Sequence, residues 1–403
     1  MRGPLEGVRI ADFSWVWAGA HAMELHAFLG AEVIKIESRR RPDSPRQFTL
    51  TAGETYSDLD ESPAFNDLNL NKLGVTINLG EPKGVELAKE IIKISDVVAQ
   101  NMGYGAMQRR GLGYEDLVKI KSDIIYLSSS TSGGTGPRAQ DVGFAPIFAS
   151  LGGLAGITGY SDGPPSLSMG ELDILCATTS AFAVMAALIH RNRTGEGQYI
   201  DLSFSEAVAV LIGDAILDYT MNGRVQGRSG NIDDIMAPHN CYRCRGEDDW
   251  VSIAISTEDE WEKFCKVLEN PALITNEKFS DAYNRWKNQG ELDKLVEEWT
   301  KNFTSREVME RLQRAGVAAM PSFNTKDLYL DPHLKERNVW LKVNHPVLGE
   351  QTVVAPPWKL SATPAKITRP APLIGEHNEY VFGELLGMKE EEIDKLIQEK
   401  VIY

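Results

Sequence analysis

Asp173 is the residue best placed in this sequence to do chemistry. It closes the run Ser168-Met169-Gly170-Glu171-Leu172-Asp173, and small and aliphatic residues follow at once over positions 174–190. That density of Ala, Val, Leu and Ile predicts a buried helix. A basic turn over 191–198 follows, containing Gly195 and Gly197, and then a strand is predicted over 199–204. A carboxylate at the mouth of a buried helix is held by backbone N–H donors and by the positive end of the helix dipole. Such a group is either a cap, contributing about 1 kcal/mol, or a nucleophile.

Other candidate chemistries are carried by basic, aromatic and sulfur-bearing segments. Glu37 ends a predicted strand and is followed by Ser38-Arg39-Arg40-Arg41 and later Arg46. Basic residues beyond the C-terminal end of a strand in an α/β sheet lie on the usual ligand side, which in an acidic protein favours a phosphate partner over a merely solvated loop. Lys72 and Arg109 are further cations of this kind. The first strand-to-helix turn, Trp15-Val16-Trp17-Ala18-Gly19-Ala20, sits where dinucleotide folds carry G-x-G-x-x-G, and that pattern is absent. The turn is left open to a different adenine nucleotide. Cys241-Tyr242-Arg243-Cys244, with His239 nearby, has metal-like spacing but no second cysteine pair, so two ordinary core cysteines are the better account. No G-x-S-x-G elbow or H-E-x-x-H helix occurs, and no histidine lies between Gln100 and Asp173.

These residues must be carried on a fold. Short apolar strands are predicted at 8–13, 32–37, 75–79, 96–100 and 124–128, alternating with helices at 20–29, 84–94 and 114–120. That alternation predicts an α/β architecture with a doubly wound parallel sheet. The pattern changes near residue 220. We expect a large Rossmann-like domain over 1–220, a smaller α+β domain over 221–325, and a proline-rich segment over 326–403 that returns to the large domain. With 403 residues the chain is long enough for two cores. A net charge of -15 argues against nucleic acid as partner. No run of apolar residues in the sequence approaches the roughly 20 needed to span a bilayer, and the N-terminus shows no signal-peptide core. Four cysteines in so long a chain fit a reducing cytoplasm.

Several motifs occur in a fixed order: Val33-Ile34-Lys35-Ile36-Glu37, then Asn69-x-Asn71-Lys72, then Asn101-Met102-Gly103 with Gly105 and Arg109, then Gly111-Leu112-Gly113-Tyr114. Thr194-Gly195-Glu196-Gly197-Gln198, Asp331-Pro332-His333 and Pro370-Ala371-Pro372-Leu373-Ile374-Gly375-Glu376-His377 complete the series. Over essentially the whole chain this order resembles the class III CoA-transferases, the formyl-CoA and carnitine-CoA transferase group that also includes 2-methylacyl-CoA racemase. The resemblance implies that Asp173 is the catalytic nucleophile, forming an aspartyl-CoA thioester. It implies that Val16, Trp17, Ala18, Arg39, Lys72, Asn101, Met102 and Arg109 contact coenzyme A, with Ser38 at the commonest position of the family's arginine. Coenzyme A and acyl-CoA are then substrates, with no tightly bound cofactor and no metal. Interlocked dimers, or assembly with a related and even non-catalytic subunit, are also implied. Racemase-like members carry a histidine upstream of the aspartate, and this chain has Asp141-Val142-Gly143-Phe144 there. The loop 230–240 falls where some members have a glycine-rich lid, but it holds no glycine run. Taken whole, the chain looks most like transferases serving the anaerobic degradation of aryl- or alkyl-succinates, with succinyl-CoA as donor.

Overall fold

A computed structural model describes residues 3–49, 52–167 and 170–403. Ser168 and Met169, which open the run ahead of Asp173, lie outside the described residues. The chain divides into two compact units. One comprises Met1–Ala155, Leu167–Val225 and Lys335–Tyr403, the other Gly156–Ser166 and Gln226–Leu334.

Six strands of the first unit, β1 (Arg9–Asp12), β2 (Glu32–Glu37), β3 (Leu73–Thr76), β4 (Val97–Gln100), β5 (Ile125–Ser130) and β6 (Tyr199–Ser203), pair in parallel in the order β3-β2-β1-β4-β5-β6. This is the doubly wound sheet predicted by the alternation of strands and helices. Along the chain to residue 222 the helices are α1 (Ala18–Phe28), α2 (Pro63–Asp67), α3 (Pro82–Lys93), α4 (Tyr114–Leu117), α5 (Ala145–Leu151), α6 (Leu154–Ile157), α7 (Gly170–Thr194), α8 (Phe204–Ala209) and α9 (Gly213–Asn222). Successive side chains leave a strand toward opposite faces. Ile10, Val33, Val97 and Ile125 pack with α1 and α7 on one side, and Ala11, Ile34, Val98 and Tyr126 pack with α3 on the other. With both faces covered, the central strands read as nearly unbroken apolar runs. The strand order reverses between β1 and β4, which opens a crevice beyond their C-terminal ends.

Two departures from the sequence expectations bear on the site. β3 lies at Leu73–Thr76 and not at 75–79, because its pairing with β2 runs from Ile34↔Leu73 to Glu37↔Thr76. Beyond that, the Asn78 N–H is taken by the Val401 carbonyl at 2.8 Å and the chain leaves the sheet. α7 begins at Gly170, four residues before the expected start, so Asp173 stands inside the first turn and not ahead of it. Glu171 shares that turn, where the helix dipole favours carboxylates. At 25 residues α7 is also long and apolar enough, by length and composition, to cross a membrane. The sequence reading, which counted unbroken apolar runs, missed this. Thr178, Thr179 and Ser180 interrupt the run, yet each hydroxyl is spent on a carbonyl one turn back. Cys176, Ala177, Val184 and Leu188 of α7 lie in the core.

The second unit contains an antiparallel sheet, β7 (His239–Arg243), β8 (Trp250–Ala254) and β9 (Ala318–Pro321), in the order β7-β8-β9. Helices α10 (Glu258–Val267), α11 (Ala282–Lys287), α12 (Gln289–Thr300) and α13 (Ser305–Arg314) accompany it, and Trp261, Phe264, Leu292 and Val308 share its core. Capping boxes at Thr257/Glu260 and Thr304/Glu307 start α10 and α13. A hairpin of β10 (Trp340–His345) and β11 (Gly349–Val354) belongs to the first unit.

The first unit buries charge as well as hydrocarbon. The Lys72 ammonium, wholly shielded from solvent, donates to the Asp12 carboxylate at 3.0 Å, the Ala20 carbonyl at 2.8 Å and the Asn69 side-chain oxygen at 2.9 Å. Burial pulls its pKa below the usual lysine value, against the attraction of Asp12. This group ties the end of β1 to the first helix and to the approach to β3. Lys72→Met is expected to destabilise the protein by about 3–5 kcal/mol by leaving Asp12 buried without its counter-charge. Urea unfolding measures this, and a loss below about 1 kcal/mol would show that Asp12 finds another partner.

Candidate active site

Asp173 projects from the first turn of α7 and is half-buried. Burial raises its pKa to about 6, the backbone N–H of Ala18 directed at the carboxylate pulls it back, and Glu171 adds to the rise. Ala18 is the first residue of α1. The carboxylate therefore faces the N-terminus of a second helix, whose first N–H groups have no acceptor within the helix. A carboxylate stripped of water but still largely ionised at neutral pH is a stronger nucleophile than an ordinary aspartate. Cys176 lies three residues along the same helix, buried, with its thiol pushed up to about 12 by burial and by Asp173. It stays protonated and does not compete.

The turn that delivers Ala18 is held from several sides. Val16 adopts φ 59°, a left-handed conformation that is costly for a β-branched residue. Its N–H donates to Asp43 Oδ1 at 2.8 Å, and the other oxygen of Asp43 accepts from Lys35 Nζ at 2.8 Å. Lys35 also donates to the Ser14 carbonyl at 2.7 Å. Asn101 grips Trp15 twice, accepting from its N–H at 2.9 Å and donating to its carbonyl at 2.7 Å. Glycine is required next to this grip. A Cβ on Gly19 would stand 2.6 Å from Asn101 Nδ2 and 2.7 Å from Ser14 Cβ. Behind Asp43, Arg46 is bidentate to Glu37, pairs with Asp60 at 2.6 Å, and lies 3.5 Å over the Phe65 ring.

Beyond the C-terminal ends of β1 to β4 lies a cavity of about 490 Å³, lined by Trp15, Ser38, Arg40, Arg41, Met102 and Arg110 among others. Three guanidinium groups on one cavity of this size suit a polyphosphate ligand. The Arg41 guanidinium lies 4.5 Å over the Trp15 ring. Tyr403 braces this rim, its hydroxyl 2.9 Å from Ser38 Oγ and accepting from the Arg40 N–H at 3.0 Å.

The residues singled out in the sequence fall into distinct places. Ala18 adjoins Asp173, the Trp17 ring lies against Gly170 in the same turn of α7, and Met102 lines the arginine-rimmed cavity. Val16 and Asn101 shape the turn through the contacts above. Arg39 is turned away, donating to the Ile374 carbonyl at 3.2 Å. Arg109 lies against Gly105, where a Cβ would come within 2.7 Å of its guanidinium. Lys72 has all three protons engaged by protein, so its contribution is to hold the turn from beneath. Sequence reasoning marked both arginine runs and singled out Arg39 and Arg109, which do not line this cavity. Arg40, Arg41 and Arg110 are the ones that reach the cavity. Past the end of a strand no regular period says which of consecutive residues turns inward.

The remaining candidates lie elsewhere. His239 and Cys241 line a cavity of the second unit, and His239 Nδ1 is fixed at 2.7 Å from the Asn231 carbonyl. The loop 230–240 carries its own hydrogen bonds, Asp233 accepting from the Ile235 and Met236 N–H groups. Among the described residues, no cluster of three or more His, Cys, Asp or Glu side chains gathers to hold a metal. Val142 and Phe144, in the segment where a racemase histidine would stand, are exposed apolar residues.

The sequence model of CoA-transferase family III matches residues 5–378. The succinyl-CoA–D-citramalate CoA-transferase of Chloroflexus aurantiacus is 33% identical, with 99% of this chain and 98% of that protein covered. The succinyl-CoA–L-malate CoA-transferase beta subunit of the same organism is 32% identical over the same shares. A solved CaiB/BaiF family protein from Brucella suis superposes with a TM-score of 0.85 at 27% identity, covering 96% of this chain and all of that one.

Proposed function

We propose that this chain, which belongs to CoA-transferase family III, transfers CoA between carboxylic acids by way of a covalent thioester on Asp173. The observation that carries the reading is the environment of that carboxylate. It is half-buried, raised by desolvation, and aimed at the free N–H end of α1. The arginine-rimmed cavity supports the same reading as the place for the nucleotide end of CoA, with Arg40, Arg41 and Arg110 toward its phosphates and Met102 beside it.

The chemistry follows from these groups. The Asp173 carboxylate attacks the thioester carbonyl of the donor. The tetrahedral intermediate expels CoA thiolate and leaves a mixed anhydride between Asp173 and the donor acid. The thiolate then attacks the Asp173 carbonyl, releasing the donor as a carboxylate and forming an aspartyl-CoA thioester. The acceptor carboxylate attacks that thioester, expelling the thiolate and forming a second anhydride. Attack of thiolate on the acceptor carbonyl yields the new acyl-CoA and restores Asp173. No proton is gained or lost over the cycle, so the work falls on covalent catalysis and on stabilising oxyanions. A helix N-terminus is suited to the second task, where a single N–H donor is worth roughly 3–4 kcal/mol.

The names of the relatives support succinyl-CoA as donor, and we infer a dicarboxylic acceptor such as an aryl- or alkyl-succinate. We further infer self-association. α7 and α9 of the first unit present apolar side chains outward, with Phe182 71% and Met221 76% exposed, and Ile216 and Leu217 beside them. Apolar surface on this scale marks an interaction face. A relative that is the beta subunit of its enzyme makes a related chain the alternative partner.

Three outcomes test this reading. Mixed with acyl-CoA and hydroxylamine, the enzyme should yield a hydroxamate at Asp173 by mass spectrometry. Asp173→Asn should give none and lose at least 10³-fold in CoA exchange; exchange at the wild-type rate would end the proposal. Because the pKa of Asp173 is raised, its ionised form is lost as pH falls through about 6. Single-turnover acylation should therefore be level above pH 7 and decline about tenfold per unit below 5.5, whereas a profile flat to pH 4.5 would show that Asp173 does not control the step. Sedimentation equilibrium of the purified chain should give a dimer, and a monomer that becomes active only with a second subunit would favour the alternative.

A further inference from the structure

A second cavity, of about 350 Å³, lies against the Val16-Trp17 turn. Its walls are largely apolar, with Trp17, Phe48, Ala64, Leu68 and Val353 among them. Val16 and Trp17 immediately precede Ala18, whose N–H is directed at Asp173. Trp17 also reaches α7. A Cβ on Gly170, in the first turn of that helix, would stand 3.7 Å from Cζ2 and Cη2 of the indole. One ring thus belongs both to the cavity wall and to the turn that carries Asp173.

Two properties of the walls indicate what they would hold. Trp17 and Phe48 are 40% and 43% exposed, so large ring surfaces face water at this cavity. Covering them with hydrocarbon is favourable in proportion to the apolar area removed from water. Among the lining residues Asp67 is the one ionisable group, and Asn66, Gln351 and Thr352 are neutral. A substituent ending in a carboxylate would find no cation there. Arg46, next to Pro45 of the same wall, is spent on Glu37 and Asp60. The space is near the small end of ligand pockets, which suits one substituent and not a whole acyl-CoA.

We propose that this cavity takes a hydrocarbon substituent carried by the acceptor acid and selects acceptors by the size of that substituent. The inference rests on the assignment of Asp173 as the acylated residue. Donor and acceptor acyl groups meet that carboxylate in turn, so their reacting carbonyls share one position. A substituent branching from the acceptor's chain passes along the Trp17 ring into the cavity. The succinyl group has no such branch and leaves the cavity to water. The cavity therefore tells acceptor from released donor, which a site fitted to the succinate skeleton alone would not do. Each methylene buried there should raise kcat/KM about fourfold until the space is full. A charged substituent loses its hydration and gains no counter-ion.

The test uses succinyl-CoA as donor and acceptors that differ only in the substituent on succinate. These are methylsuccinate, isobutylsuccinate, benzylsuccinate and tricarballylate, whose carboxymethyl arm has nearly the shape of isobutyl. Formation of each acyl-CoA is followed by mass spectrometry. The wild-type enzyme should favour isobutyl- and benzylsuccinate over methylsuccinate at least tenfold in kcat/KM, and isobutylsuccinate over tricarballylate by at least as much. Ala64→Phe, which fills the cavity, should lower the benzyl-to-methyl ratio at least tenfold. Phe48→Ala, at an exposed ring of the wall, should lower the ratio too and decides the matter should Ala64→Phe fail to fold. Equal use of these acids, use of none of them, a preference for methylsuccinate or tricarballylate, or variants that leave the ratio unchanged would overturn the assignment of the cavity. Absence of a hydroxamate at Asp173 from succinyl-CoA would instead count against the Asp173 reading itself.

Discussion

One carboxylate, that of Asp43, sets the geometry on which the site depends. It holds the N–H of Val16 in a backbone conformation that costs of order 1–3 kcal/mol, and it does so while neutralising the buried ammonium of Lys35. Lys35 in turn fixes the Ser14 carbonyl, and Asn101 fixes Trp15 between them. Each bond alone is modest. Together they leave the chain one way to enter α1, and that entry decides where the Ala18 N–H points. Buried ion pairs are an uneconomical source of stability. Here their effect is to hold a turn that local backbone preference would not choose.

The distribution of charge follows the same logic. The protein as a whole is strongly acidic, which would repel an anionic thioester at long range. Around the crevice the balance is reversed by Arg40, Arg41 and Arg110, while the acidic groups beneath, Glu37, Asp43 and Asp60, are tied to Arg46 and Lys35. Asp173 sits beyond this rim, where burial and not a cation governs its proton affinity. The cavity rim and the surroundings of Asp173 thus offer different kinds of surface, one ionic and one sparsely solvated.

Much of this was legible in the sequence. β2 falls on the expected residues because Val33, Ile34 and Ile36 form a short β-branched stretch bounded by Gly30 and a basic loop, and α3 is declared by Pro82 and by the spacing of Leu87, Ala88, Ile91 and Ile92. Asp173 stands out as a carboxylate ahead of an apolar stretch, and the family resemblance made it the candidate nucleophile. What was not legible depended on tertiary contacts. The start of α7 was missed because Gly170 and Glu171 are weak signals until the helix packs. Lys72 looked like a ligand cation, and nothing local reveals that Asp12, sixty residues earlier, consumes its charge. The β10–β11 hairpin was hidden in a proline-flanked segment read as extended.

The brace supplied by Tyr403 has a consequence for how the enzyme comes into being. The arginine loop it steadies lies 365 positions earlier, and the Pro372 carbonyl and Ile374 N–H close on Arg46 and Asp60 across comparable distances. Contacts of such high order form late, because a long loop must be closed before they are rewarded. During synthesis α7 and the central strands leave the ribosome well before the residues that finish the rim. A nascent chain would thus have its central strands in place while the loop carrying Ser38 and Arg40 still lacked the contacts with Tyr403 that steady it.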